Sequence, residues 1–282
     1  MQDIVLKSDN RKIFLFDEVY PFRAAQEQAE KKKLNAFGMA KFNPLNRPKE
    51  DTVLLQRYER RYEPFWQIEA ERSVDYSCQV NYPVHVHNPY AQAVRIFGQD
   101  CEVARQKDKS KIEIPVWESC HRKLTYAMIQ DGMQRNIKEN ILVTYLNKYK
   151  YQERHELEMA ESAEVLKPLL TLQGVIQQAC AKLNGEAINA AEIGSDAIVF
   201  AKIYLYLRPV FAFEFRWTST DKVGVIEVDG LTGEVVENGD WFKDKFDRVM
   251  TRETLIDVGA EIVGNLVPGG NVVVKIVGKV TQ

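Results

Sequence analysis

The chain has 282 residues, 45% hydrophobic and 28% charged, enough to bury a substantial core and unlike the composition of a disordered chain. Thirty-eight basic and 40 acidic side chains give a formal net charge of -2, which excludes a global electrostatic drive toward nucleic acid or an anionic membrane. The four cysteines (Cys78, Cys101, Cys120, Cys180) show no CxxC spacing, the usage of thiols in a reducing compartment, so the expected location is cytoplasmic.

Met1–Phe16 is interrupted by Asp3, Lys7, Asp9, Arg11 and Lys12, unlike a secretory signal. No window reaches the ~18 uninterrupted apolar residues that a transmembrane helix needs, so no span is expected. Lys12–Asp17 reads as a short strand. Pro21 then opens a helix through Ala24, Ala25, Gln28 and Ala29 to Lys33, because proline suits a first helical turn. Leu34–Glu50, with Pro44 and Pro48, reads as a loop or linker.

Thr52 to about Val116 is strand-rich. Apolar and polar residues alternate from Trp66 to Tyr76, the period of a half-buried strand. Val80–Val86, Ala93–Val103 and Ile112–Trp117 continue it as further strands, separated by Pro83, Asn88-Pro89, Arg105–Lys111 and Pro115. In Lys123–Tyr151, Leu124, Met128, Met133, Ile137, Ile141 and Leu142 fit a helix imperfectly, and Gly132 weakens it. A domain boundary is placed in the acidic stretch near 152–165, dividing the chain into 1–152 and 153–282. Leu169, Leu172, Val175, Ile176, Ala179, Cys180 and Leu183 recur at three and four, an amphipathic helix closed by Asn184-Gly185.

Three apolar, aromatic strands follow: Ala197–Leu207, Val210–Trp217 and Val223–Asp229. They lead into Asp229-Gly-Leu-Thr232-Gly233-Glu234-Val235, where Asp caps a tight turn and Gly supplies a positive φ. Helix, three strands and this turn, over about Leu169–Glu237, resemble the PepSY-like propeptide and inhibitor modules. The resemblance implies a helix on an antiparallel sheet, a structural role for Asp229, Thr232 and Gly233, no catalytic residues, and a region that binds or supports a protein partner. Thr251–Leu266 reads as an amphipathic helix stopped by Pro268-Gly269-Gly270, and Val272–Val277 as a strand or second helix. Charges keep 251–282 from spanning a bilayer but permit peripheral contact with a membrane or a partner's groove.

Candidate chemistry concentrates in Cys78–His121, which holds three of the four cysteines and three of the four histidines. His85 and His87 share one face of an extended strand, Cys120 and His121 would supply further zinc ligands, and Cys78 or Cys101 would complete a tetrahedral set. The spacing matches no zinc motif. Cys120 and His121 point to opposite faces and make no dyad, and neither Ser77 nor Ser119 lies in a G-x-S-x-G setting. Glu69 with Glu71, and Glu227 with Asp229, share strand faces that solvent would explain. No phosphate-binding glycine motif occurs. Arg57, Arg60 and Arg61 lie among Tyr58, Tyr62, Phe65 and Trp66, the interleaving found in single-strand nucleic-acid binders. Tyr62–Trp66 itself reads as rings anchoring a core at a proline-marked strand entry.

The sequence thus leads to an α+β protein: an N-terminal helix plus antiparallel sheet, then a helix-on-sheet unit with a helical tail. The expected function is that of a non-enzymatic binding or structural subunit, acting through protein partners or self-association. Tyr204, Tyr206, Phe213, Phe215 and Trp217 are the candidate partner-binding residues, and no catalytic residue or cofactor is assigned. The alternatives are a metal-binding protein or hydrolase centred on Cys78–His121, with zinc as its ion, and a nucleic-acid-binding accessory protein.

Overall fold

In this computed structural model the described residues are 2–42, 45–106, 109–154, 165–237 and 272–277. They form a mostly-β protein, which corrects the α+β expectation. The runs expected as several short strands after Thr52 merge into one strand, β3 (Val53–His85), and Lys109–Asp131 forms another, β7. The reason lies in the pattern: Leu124 and Met128, which fit a helix imperfectly, also alternate with a period of two once Tyr126 between them is counted. The expected tail helix at Thr251–Leu266 lies outside the described residues, and Val272–Val277 is a strand.

The central strand is β9 (Glu192–Trp217). Its whole length pairs antiparallel with β3 over Val53–Ser77. Its other edge is shared by three strands in succession. These are β1 (Gln2–Lys7) and β2 (Arg11–Phe16), both parallel to it, and β10 (Lys222–Asp229), antiparallel. β12 (Val272–Val277) adds in parallel to β1, β8 (Tyr151–Arg154) to β2, and β11 (Val235–Glu237) to β10. On the far side of β3 comes β7, followed at one end by the three-residue β6 (Ala104–Gln106). A separate hairpin joins β4 (Ala93–Ile96) to β5 (Gln99–Glu102). The sheet is therefore mixed, and it takes strands from both sides of the boundary expected near 152–165.

Prolines inside strands explain themselves by where their missing N–H would point. Pro209 lies in β9 opposite Gly230, whose N–H bonds the Pro209 carbonyl at 2.9 Å; the Gly230 carbonyl, with no donor from Pro209, accepts from Val19 and Tyr20 at 3.1 and 2.8 Å. Pro64 repeats the device: Gly132 N–H bonds its carbonyl at 2.8 Å, and the Gly132 carbonyl accepts from Leu170 at 2.9 Å.

Helices cover the sheet in three places. α1 (Phe22–Lys32) opens after Pro21, as expected, and buries Ala25 and Ala29 with Phe211, Phe213, Phe215, Trp217, Ile226 and Val228. α2 (Glu139–Lys148) sets Leu142 and Tyr145 against Phe16, Phe65 and Tyr206. α3 (Leu172–Asn184), capped by Thr171 through the Gly174 N–H, lays Val175, Ile176, Ala179, Cys180 and Leu183 over Trp66, Ile68, Ala70, Ile198, Phe200 and Leu205. Phe65 and Trp66 are core, as the proline-marked string implied.

At ~3.3 Å per residue, β3 is ~110 Å long, longer than the body it crosses. Beyond Ser77 it leaves β9 and continues with β7 as a two-stranded arm, Cys78–His85 against Lys111–Glu118. We expect Phe213→Ala, which empties a fully buried ring site, to cost about 3–5 kcal/mol in urea unfolding, whereas Leu54→Ala at an exposed position costs under about 0.5 kcal/mol. Similar losses for the two would contradict this packing.

Candidate functional site

Alternation along β3 sends Arg57, Glu59, Arg61 and Glu63 to the sheet face opposite α3 and α1. Arg208 stands directly across from Glu63, Glu227 across from Ala212, and Asp229 across from Val210. The result is a buried ionic lattice over three strands. Glu63 Oε1 accepts from Arg61 Nε and Nη2 at 2.9 and 2.7 Å. Its Oε2 accepts from Arg208 Nη2 at 2.7 Å and from Arg135. Arg61 also donates to Glu227 at 2.6 Å, and Arg208 Nη1 to Asp229 at 2.5 Å. Asp131 fixes Arg135 through its backbone N–H at 2.9 Å and its side chain, and Tyr145 donates to Asp229 at 2.7 Å.

Each displaced pKa in this cluster moves away from neutrality. Burial works to raise that of Glu63, but Arg208, Arg61 and Arg135 outweigh it and hold the carboxyl at about 2. Burial works to lower those of Arg61, Arg135 and Arg208, and their carboxylate partners raise them instead. Burial and Asp229 both push Tyr145 up. A general acid or base works best with a pKa near the operating pH, and these four fixed charges and one neutral phenol do not supply one. Beside the lattice, Arg135, Ile137, Ile141, Tyr145, Arg208 and Glu227 line a cleft of about 310 Å³. An ionic ligand there would have to displace ion pairs already formed.

Asp229 also builds the turn expected of it. Its Oδ1 accepts from Leu231 and Thr232 N–H at 2.8 and 3.0 Å, Thr232 Oγ1 accepts from Glu234 N–H at 3.1 Å, and Gly233 has φ 76°.

Unused hydrogen-bonding capacity lies at the outer edge of β7. The β3–β7 register runs without a bulge from Phe65–Asp131 to His85–Lys111. At its two ends Gly132 N–H bonds Pro64 O and Val86 N–H bonds Ser110 O, both between even-numbered residues. Antiparallel ladders alternate, so even residues of β7 face β3 and odd ones point their N–H and C=O outward. Pro83 and Pro115 occupy odd positions, where no ladder bond of the arm is lost. Among the described residues, β6 covers that outer edge at Lys109–Lys111 and no strand pairs with it from Ile112 to Asp131. Side chains along Glu113–Ala127 alternate exposed and half-buried without interruption.

The candidates from sequence are scattered across this frame. His85 is exposed at the far end of β3, its Nδ1 2.9 Å from Ser110 O, and His87 is exposed just beyond. Cys120 faces Tyr76, nine residues back along β3 from His85 and so ~30 Å away. His121 turns to the opposite face, where its Nδ1 lies 2.6 Å from Asp75. The structure does not bring the proposed zinc ligands together, and among the described residues no group of three or more His, Cys, Asp or Glu is placed to hold a metal.

The proposed partner-binding aromatics are core instead. Tyr206, Phe213, Phe215 and Trp217 are buried and Tyr204 is half-buried, because α1, α2 and the strands over them take up their faces. The basic cluster is dispersed by strand alternation: Arg57 clasps Glu214 at 2.8 and 3.0 Å, Arg60 stacks 4.2 Å over Phe22, and Arg61 is buried. Glu227 and Asp229, read as solvated, are buried. The overlooked signal was Arg57-x-Glu59-x-Arg61-x-Glu63, charges alternating in sign on one strand face. Comparison with models of known families, with curated proteins and with solved structures returned no match. Among the described residues no helix is long and apolar enough to cross a membrane.

Glu63 has a sign-definite pH signature. Its folded pKa is depressed, so its contribution is present above about 4.5 and fades as pH falls toward about 2. Glu63→Gln should cost about 3–5 kcal/mol at pH 7, by leaving buried guanidinium charge uncompensated, and should flatten the stability profile between those pH values. A slope equal to the native protein's would contradict the lattice.

Proposed function

We propose that this chain is a non-enzymatic binding or structural subunit that assembles by strand addition at the outer edge of β7. The observation that carries the reading is the open ladder from Ile112 to Met128, on a strand of 23 residues. Natural sheets blunt their edges by keeping edge strands short, charged or covered, and added strands are a recurring mode of protein recognition. β7 has charges, yet it is long and extends into an arm that has no α-helical cover in the described residues. The ion-paired lattice, whose displaced pKa values all lie away from neutrality, supports the non-enzymatic part of the reading. The PepSY-like resemblance of Leu169–Glu237 points in the same direction, toward a module that supports a protein partner. Four free thiols favour a cytoplasmic setting.

Ser119 and Lys123 direct their N–H groups outward, so a Ser119→Pro/Lys123→Pro variant removes donors from the edge and none from the β3 ladder. Light scattering on the chain, alone and in extract of its source cells, should show an assembly that this variant loses while its circular dichroism is unchanged. A native chain that stays single in both settings, or a variant that assembles equally well, would overturn the reading.

A further inference from the structure

We infer that the strand added at this edge is β7 of a second copy, paired antiparallel about a two-fold axis through Cys120. The inference deepens the strand-addition reading and rests on it.

The β7 edge is self-complementary. With the axis at Cys120, the half-buried face sets Ile114 against Tyr126, Val116 against Leu124, and Glu118 against Arg122. The two-fold repeats every pair, so two opposite-charge contacts and four apolar ones form at once. On the exposed face Trp117 meets Lys123, a cation over an indole, and Ser119 meets His121. No like charges face each other. Neighbouring registers lose this match. An axis at Ser119 sets Arg122 against Val116, and one at His121 sets Glu118 against Leu124. Axes at Glu118 or Arg122 put like charges on the dyad. Axes between residues align outward with inward backbone groups and form no ladder.

The backbone agrees. Odd residues point outward, so Ser119–His121, Trp117–Lys123 and Pro115–Thr125 become hydrogen-bonded pairs, with one donor missing at each Pro115. Cys120 then faces its own copy as a non-hydrogen-bonded pair, where side chains approach closest and Cα atoms lie about 4.5 Å apart. β6 occupies the edge at Lys109–Lys111, so the ladder runs from Ile114 to Tyr126 and the strands splay beyond it.

The pairing also accounts for the arm. Its apolar face carries Tyr82 at 49% and Val84 at 41% exposure. The two-fold carries that face alongside the partner copy's Leu124 and Tyr126, which pack at the margin of the α3 core. Within one chain Glu118 accepts from the Tyr82 hydroxyl at 2.5 Å and Arg122 pairs with Glu186. These are exposed contacts of small individual worth, and both charged groups have capacity for a second partner.

The test uses purified chain alone. In a Cys78→Ser/Cys101→Ser background, chosen because Cys78 lies beside Cys120 within one chain, diamide should give a covalent dimer. The two Cys120 thiols lose two protons and two electrons, diamide is reduced to its hydrazine, and the facing Cα separation lies within disulfide range. Adding Cys120→Ser should abolish the product. Without oxidant, Glu118→Arg and Arg122→Glu should each weaken dimerisation about tenfold by placing like charges in two symmetric pairs. The double reversal should restore it to within about threefold.

A chain that is monomeric at high micromolar concentration, or a double reversal no better than the singles, would overturn the inference. If the native chain is single but the Ser119→Pro/Lys123→Pro variant still loses some other partner, the second copy is wrong and strand addition stands. A dimer indifferent to those prolines would remove both.

Discussion

A strand has two faces and two edges, each with a period of two, and the length of β3 makes that constraint govern the molecule. Even positions from Trp66 to Val74 face the core under α3. Odd positions from Arg57 to Glu63 face the ionic lattice. Backbone groups at even positions are bound by β7, and those at odd positions by β9 as far as Ser77. A one-residue slip would exchange all of these at once: Ile68 and Val74 would move to the lattice face, and Glu63 to the hydrocarbon of α3. The register is therefore held by apolar burial on one face and by ion pairing on the other.

The lattice is the costly part of this arrangement. Removing a carboxylate from water carries a penalty of several kcal/mol, and it is offset only when geometry and hydrogen bonding are good. Glu63 is fully buried and meets that condition through three guanidinium groups on β3, β9 and the segment after β7. These contacts join the strands that build the body and fix their relative register. The same charge pairing limits reactivity, since a carboxyl held at about 2 is not poised to exchange protons at neutral pH.

Much of this was legible in the sequence, though unevenly. α1 after Pro21, the spacing of α3 and the Asp229–Val235 turn were all readable, because capping, periodicity and turn chemistry are local. The strand content was partly legible and its continuity was not. Pro64, Pro83 and Pro115 look like breaks in a linear reading, and only the pairing shows that Pro83 and Pro115 sit where an absent N–H loses no ladder bond, while at Pro64 the Leu170 N–H takes the Gly132 carbonyl instead. The lattice stayed hidden because its members come from five separate segments, and a cluster such as Arg57, Arg60 and Arg61 reads as basic until alternation sends Arg60 to the other face. The aromatics of β9 read as a surface in the sequence because nothing local indicates that α1 and α2 return to cover them.

Among the described residues no strand pairs with the outer edge of β7 from Ile112 to Asp131, and the residues along that edge match their own reverse. Assembly through β7 is thus the central claim, and amide hydrogen exchange resolved residue by residue tests it most directly. In dilute chain, the amides of Glu118, Cys120 and Arg122, bound to β3, should be protected, and those of Trp117, Ser119, His121 and Lys123 should exchange freely. On concentration, the second set should gain protection while the first is unchanged. If the odd-numbered amides exchange freely at every concentration at which the chain is assembled, the β7 edge is not the interface.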